Sequence, residues 1–145
     1  MNVNNPDTID RKENKNVEVV NTSEIKAMSV KSLHLYAQEL KIESTRSAQR
    51  QELIFAIMKK LFQSGKSMIG SGALEIMQDG YGFLRSSAGS YLSGADDFYV
   101  APNLIRRFQL RSGDTITGTI RGAEKGERYF SLVNISEINY EAPEK

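Results

Sequence analysis

Cysteine and tryptophan are absent from this 145-residue chain, and histidine occurs once, at position 34. Without thiols there is neither a disulfide framework nor a thiolate metal site, and His34 alone builds neither a metal cluster nor a nucleophile–base pair. No apolar run approaches the length of a membrane span, and the start, MNVNNPDTID, lacks the basic residues and apolar stretch of a secretory signal. A soluble, cytoplasmic protein is therefore expected, with no catalytic residue, no metal and no membrane partner. Net charge is also scarce, at +1. It conceals a split: residues 22–69 carry eight Lys/Arg against four Asp/Glu, whereas residues 70–145 carry eight against ten. If the second part binds nucleic acid, bulk attraction to phosphate is not its main device, and specific contacts must supply the affinity.

The length allows one ordinary domain or two small modules, and the pattern favours two. Residues 1–21 are Asn-rich and charged, hold no aromatic residue and show no sustained apolar period, so a disordered tail is expected there. Residues 22–67 read as a helical unit. Ile25, Met28, Val30, Leu33, Tyr36, Ala37 and Leu40 recur at three- and four-residue steps, and Ser29 and Ser32 offer capping hydroxyls. A second helical period, Leu53, Ile54, Ile57, Met58 and Leu61, ends at Gly65.

Beyond Gly70 the period drops to two. Leu74 and Ile76 begin a first strand, Asp79-Gly80 signals a two-residue hairpin turn, and Tyr81 to Ser86 return antiparallel. DFYVA (97–101), DTITGTIR (114–121) and YFSLVNISEIN (129–139) supply three more strands, with PNLIRRFQL forming a helical turn opened by Pro102. The fold class expected is α+β: a small N-terminal helical bundle, then a five-stranded OB-type β-barrel over residues 68–145.

Ser64-Gly65-Lys66-Ser67 contains the GKS that ends a phosphate-binding loop, but Lys60 stands where that motif needs glycine and a helix precedes it. A helix cap and linker account for it. The stretch DGYGFLR is different. With Leu84 as the core residue, Tyr81, Phe83 and Arg85 share the outer face of the barrel. Such aromatics are either covered by the helical unit, or paired across strands for stability, or used for binding. In DFYV, Phe98 and Val100 alternate inward and turn Asp97 and Tyr99 outward. Asp96 is expected in a solvated loop. In GERYF, Glu127, Arg128 and Tyr129 sit at a loop–strand junction. Aromatic faces stack on bases, and Arg and Asp bond base edges, so together these residues read as a base pocket.

DGYGFLR, SYLSGADDFYVAPNLIRRFQLRSGDTITGTIR and GERYFSLVNISEIN closely resemble the RNA-binding N-terminal region of the bacterial Rho transcription termination family. The resemblance runs from about Ile25 to Pro143. It implies a helical bundle followed by a cold-shock-like OB barrel, the primary site of a hexameric, ATP-dependent RNA translocase that prefers cytidine-rich single strands. The RNA-binding positions it carries over are Met77, Asp79, Tyr81, Phe83, Arg85, Asp97, Tyr99, Glu127, Arg128 and Tyr129. Among these, Arg85 and Asp97 are the base-edge pair, while Met77 and Tyr81 stand where the family commonly has leucine and phenylalanine.

By the same resemblance, the ATPase domain with its phosphate loop, and hence ATP and Mg, lie outside this chain. No enzyme activity, no cofactor and a monomer are expected, with RNA polymerase association as a family property. The rivals are a general cold-shock-like RNA chaperone and a protein-interaction module.

Overall fold

The computed structural model describes residues 18–43, 47–87, 91–123 and 126–143. Most of the expected tail lies outside them. Its last residues do not behave as a tail, because Val19–Asn21 form β1, which pairs in parallel with the start of the first barrel strand. Asn21 then accepts a hydrogen bond from the Ser23 N–H (2.9 Å) and opens a short helix, α1 (Thr22–Lys26). Three residues are too few to show a period, so the sequence carries no signal for β1.

The longer α2 (Val30–Glu39) is capped by Ser29, whose hydroxyl accepts from the Ser32 N–H at 3.1 Å. Helix α3 (Arg50–Gln63) is closed at its start by Glu52, which accepts from the Gln49 N–H at 2.9 Å. At its end, Gly65 N–H donates to Phe62 O (3.0 Å) and Lys66 N–H to Leu61 O (3.1 Å). That is a Schellman cap, so the GKS triplet terminates a helix rather than cradling a phosphate.

Five strands form the barrel: β2 (Ser67–Ile76), β3 (Gly82–Arg85), β4 (Phe98–Val100), β5 (Thr115–Arg121) and β6 (Phe130–Ile138). Their order is β2-β3-β4-β6-β5, and a β2–β5 pairing closes the ring. The long β2 pairs with β5 through its first part and with β3 through its second, meeting both at Ala73. A short α4 (Pro102–Phe108), opened by Pro102 as expected, plugs Leu104 and Ile105 beneath the sheet.

The β2–β3 turn is longer than the expected two residues. Met77 N–H donates to Tyr81 O (2.7 Å), leaving Gln78-Asp79-Gly80 as the loop, with Gly80 at φ +100°. This is the three-residue hairpin that places a left-handed residue last, a role glycine fills without strain. Where β5 passes β6 at two bulges, a Cβ on Gly118 would stand 1.9 Å from Asn134 O, so this crossing admits only glycine.

The helical and barrel segments share one buried cluster rather than two. Leu33, Leu53, Ile57 and Met58 join Met68, Leu84, Phe98, Val100 and Phe130. A two-helix hairpin cannot bury its own apolar stripe, and the barrel supplies the missing face. Phe55 meets Phe130 edge-on at 5.2 Å between ring centroids, and Phe62 does so at 6.5 Å. Helix α3 therefore docks on β6 through these rings.

Candidate nucleic-acid interface

Strand register assembles the site. Phe83 of β3 lies opposite Tyr99 of β4, and Tyr99 lies opposite Ser131 of β6, so the three form one row across the sheet. Leu84, Phe98, Val100 and Phe130 alternate with them and point into the core. Around this row opens a cleft of about 430 Å³ lined by Tyr81, Phe83, Tyr99, Glu127, Arg128, Tyr129 and Ser131. Phe83 is its centre: Tyr129 lies 4.8 Å away, Tyr81 5.8 Å and Tyr99 6.1 Å between ring centroids. Tyr81 and Tyr99 lie 5.7 Å apart at an interplanar angle of 32°. Flat rings at these angles, half exposed, offer stacking faces that the core does not use.

The rim is held from the side. Arg121, at the end of β5, donates to both Glu127 oxygens at 3.0 and 3.3 Å, pinning the loop that carries Arg128 and Tyr129. An exposed ion pair of this kind adds little stability, but its forked geometry fixes orientation.

Six of the ten expected positions therefore line the cleft: Tyr81, Phe83, Tyr99, Glu127, Arg128 and Tyr129. Ser131 joins them unforeseen, because its place beside Tyr99 depends on a parallel pairing that no local pattern announces. Met77 is half buried at the foot of the hairpin, and Asp79 is exposed in the loop; neither lines the cleft.

Arg85 and Asp97 lie on the expected face but are not exposed on it. They are 7% and 3% accessible, and Arg85 Nη1 donates to Asp97 Oδ2 at 2.7 Å. Gly94 N–H also donates to Asp97 (3.0 Å), Glu75 meets Arg85 Nη2 at 3.1 Å, and the guanidinium carbon sits 5.2 Å from the Phe83 centroid. Alternation predicts which face a side chain takes; it does not reveal what covers that face. Here Gly94, just ahead of β4, and Lys26 of α1 lie against the pair.

Helix α1 contributes Lys26, 3% accessible, whose ammonium donates to Asp96 O (2.8 Å), faces the Asp96 carboxylate (3.8 Å) and sits 3.9 Å from the Phe98 centroid. Asp96 is thus a buried partner rather than a solvated loop residue, and Lys26 is a residue the sequence did not single out.

Burial dominates the titration of this group. It lowers Lys26 from its usual 10.5 against the pull of Asp96 and Asp97. It raises the Asp97 carboxyl above its usual 3.8, against the Gly94 N–H and the Arg85 guanidinium. Both shifts favour the neutral form, so the network positions groups more than it stabilises the fold. A carboxyl whose folded pKa is raised holds its proton more tightly folded than unfolded. Its contribution to stability is therefore fully present below pH 3.8 and is lost as pH rises through the raised value. A carbon-13 titration of the Asp97 carboxyl is expected to show its midpoint above 3.8, and a midpoint below that would contradict the burial.

The family model described as "Rho termination factor, RNA-binding domain" matches residues 70–144, and "Rho termination factor, N-terminal domain" matches residues 24–66. Curated proteins named transcription termination factor Rho align over 125 residues, 86% of this chain: 50% identical from Allochromatium vinosum, 48% from Salmonella typhimurium and 47% from Escherichia coli K12. The chain spans about 30% of the length of those relatives.

Proposed function

Because this chain belongs to the Rho transcription termination factor family and carries its RNA-binding domain, we propose that its aromatic cleft takes cytidine-rich single-stranded RNA, one pyrimidine seated on the Phe83–Tyr99 row. The observation that carries this proposal is the cleft itself, with Tyr81, Phe83, Tyr99 and Tyr129 gathered around about 430 Å³ and unused by the core. Phe83 and Arg85 are same-face neighbours on β3, as Tyr99 and Asp97 are on the β4 side, so the ion pair forms the rung next to the aromatic one. A base lying on the aromatic rung lies beside that pair, and its edge reaches the two groups only where their cover, which leaves them 7% and 3% accessible, gives way. Cytosine offers an amino donor beside two acceptors, matching a carboxylate that accepts and a guanidinium that donates; uracil reverses part of the pattern.

Glu127, Arg128 and Tyr129 close the outer wall, while Met77 and Asp79 bound the hairpin end of the site. With few cations at the cleft, binding releases on the order of one or two ions per site. ATP hydrolysis with its Mg, hexamer assembly and RNA polymerase association are proposed to belong to parts of family members outside the matched stretch, and the chain by itself to be a monomer without enzymatic activity.

With no tryptophan present, tyrosine emission reports binding without interference. Oligocytidine is expected to quench it at lower concentration than oligoadenosine of equal length. Equal affinities would support a general RNA chaperone instead, and no quenching by either would support a protein-interaction module.

A further inference from the structure

We propose that Ser131 is a base-contacting residue of the cleft, whose hydroxyl hydrogen-bonds the edge of the seated pyrimidine that faces β6, donating or accepting as the base requires. The inference rests on the base-binding role proposed for the cleft.

The strand places this side chain in a base's path. Phe130 and Leu132 are buried in the core, so Ser131 between them faces outward, on the same side as Tyr129. Register sets Ser131 next to Tyr99, which lies next to Phe83, so it ends the row on which the base stacks. Neighbouring strands lie about 4.7–4.9 Å apart, and a ring resting on Phe83 and Tyr99 therefore brings an edge to β6. A serine after two aromatic side chains is a step down in the floor, and it lines the cleft.

The hydroxyl is also uncommitted. It bonds to none of the described residues and, unlike Thr22 Oγ1 and Arg85 Nε, it is not sealed from solvent. A base stacked beside it excludes water, and the hydroxyl then goes unpaired unless the base supplies a partner. On its far side Arg121, its register partner in β5, is forked onto Glu127. Arg85 and Asp97 are covered, whereas Ser131 meets the base without any movement of that cover.

A serine hydroxyl carries one donor and two acceptor lone pairs. It accepts from an amino group, as cytosine presents, and donates to the carbonyl that uracil has at the same ring position. Ser131 thus adds affinity for both pyrimidines and leaves the choice between them to other groups. One such bond corresponds to about a three- to tenfold gain in affinity.

The test uses the whole chain carrying Ser131→Thr, which keeps the hydroxyl, or Ser131→Val, which has the same shape without it. Tyrosine emission is titrated with oligocytidine, oligouridine and oligodeoxycytidine. Ser131→Val should bind all three about three- to tenfold more weakly than Ser131→Thr, by the same factor for each. Ser131→Ala against the parent repeats the comparison should the added methyl group narrow the cleft.

Equal affinities with and without the hydroxyl overturn the contact while the aromatic cleft stands. A difference confined to the two ribo-oligomers puts the hydroxyl on the sugar 2′-OH and overturns the base contact. A difference with only one of the two pyrimidines overturns the two-way bond. Failure of the parent chain to bind oligocytidine counts against the cleft itself, and is told apart because it appears without any substitution.

Discussion

Replacing Phe83 with alanine is expected to weaken oligocytidine binding by about 1–3 kcal/mol, the contribution of one stacked base. Phe83 is the ring that the other three surround, at 4.8 Å from Tyr129, 5.8 Å from Tyr81 and 6.1 Å from Tyr99. Removing it opens the floor of the cleft and takes away the ring against which Tyr129 lies, while Tyr81 and Tyr99 keep each other. The barrel core does not depend on it, because Leu84, fully buried, fills the inner side of the same strand. Phe83→Ala should therefore still unfold in one cooperative transition while its titration curve moves to higher RNA concentration. Equal affinities for the variant and the parent would remove stacking on this ring from the mechanism.

Arg85→Met is expected to lower stability by about 3–5 kcal/mol near neutral pH, the usual consequence of leaving one member of a buried ion pair alone. The stranded group is Asp97, 3% accessible, which would keep the Gly94 N–H and the weaker influence of Lys26 but lose its ion-pair partner. Burial already raises this carboxyl above 3.8 with the guanidinium in place, and removing Arg85 takes away a lowering influence. In the variant the carboxyl takes up a proton at still higher pH. Because the folded form binds that proton more tightly than the unfolded one, stability falls as pH rises, and the deficit shrinks on acidification.

Denaturant unfolding of Arg85→Met at neutral and mildly acidic pH measures this directly. The double variant Arg85→Met/Asp97→Asn should recover a substantial part of the loss, since it removes the charge along with its partner. A deficit that does not vary with pH and is not relieved in the double variant would mean that lost packing, not an unpaired carboxylate, is responsible.

These two residues also show how far the sequence reached. Period-two alternation around Leu84, Phe98 and Val100 was enough to assign Phe83 and Tyr99 to one outer face, and the register confirms them as direct partners. The same rule assigned Arg85 and Asp97 to that face, correctly, but could not foresee that it is covered there. The cover comes from Lys26, seventy residues away from Asp96 in the chain, and from the connection ahead of β4. No local pattern encodes a contact at that separation.

The missing Ser131 has the same origin, in a parallel β4–β6 pairing set by barrel closure. Asp79-Gly80 was legible as a turn because glycine tolerates positive φ, yet the loop is one residue longer than the dipeptide suggests, with Gln78 included. Helix ends were legible because capping is local: Ser29 and Gly65 sit where their side chain, or lack of one, places them. Val19–Asn21 were not, because three residues take strand form only through the edge that β2 offers.

Mapping backbone amide shifts on adding oligocytidine tests the central claim most directly. If the aromatic cleft holds the base, the largest changes fall on Phe83, Tyr99, Tyr129 and Ser131, with the α2 and α3 amides little moved. Saturable shifts confined to the basic helical segment, with those four residues still, would contradict it.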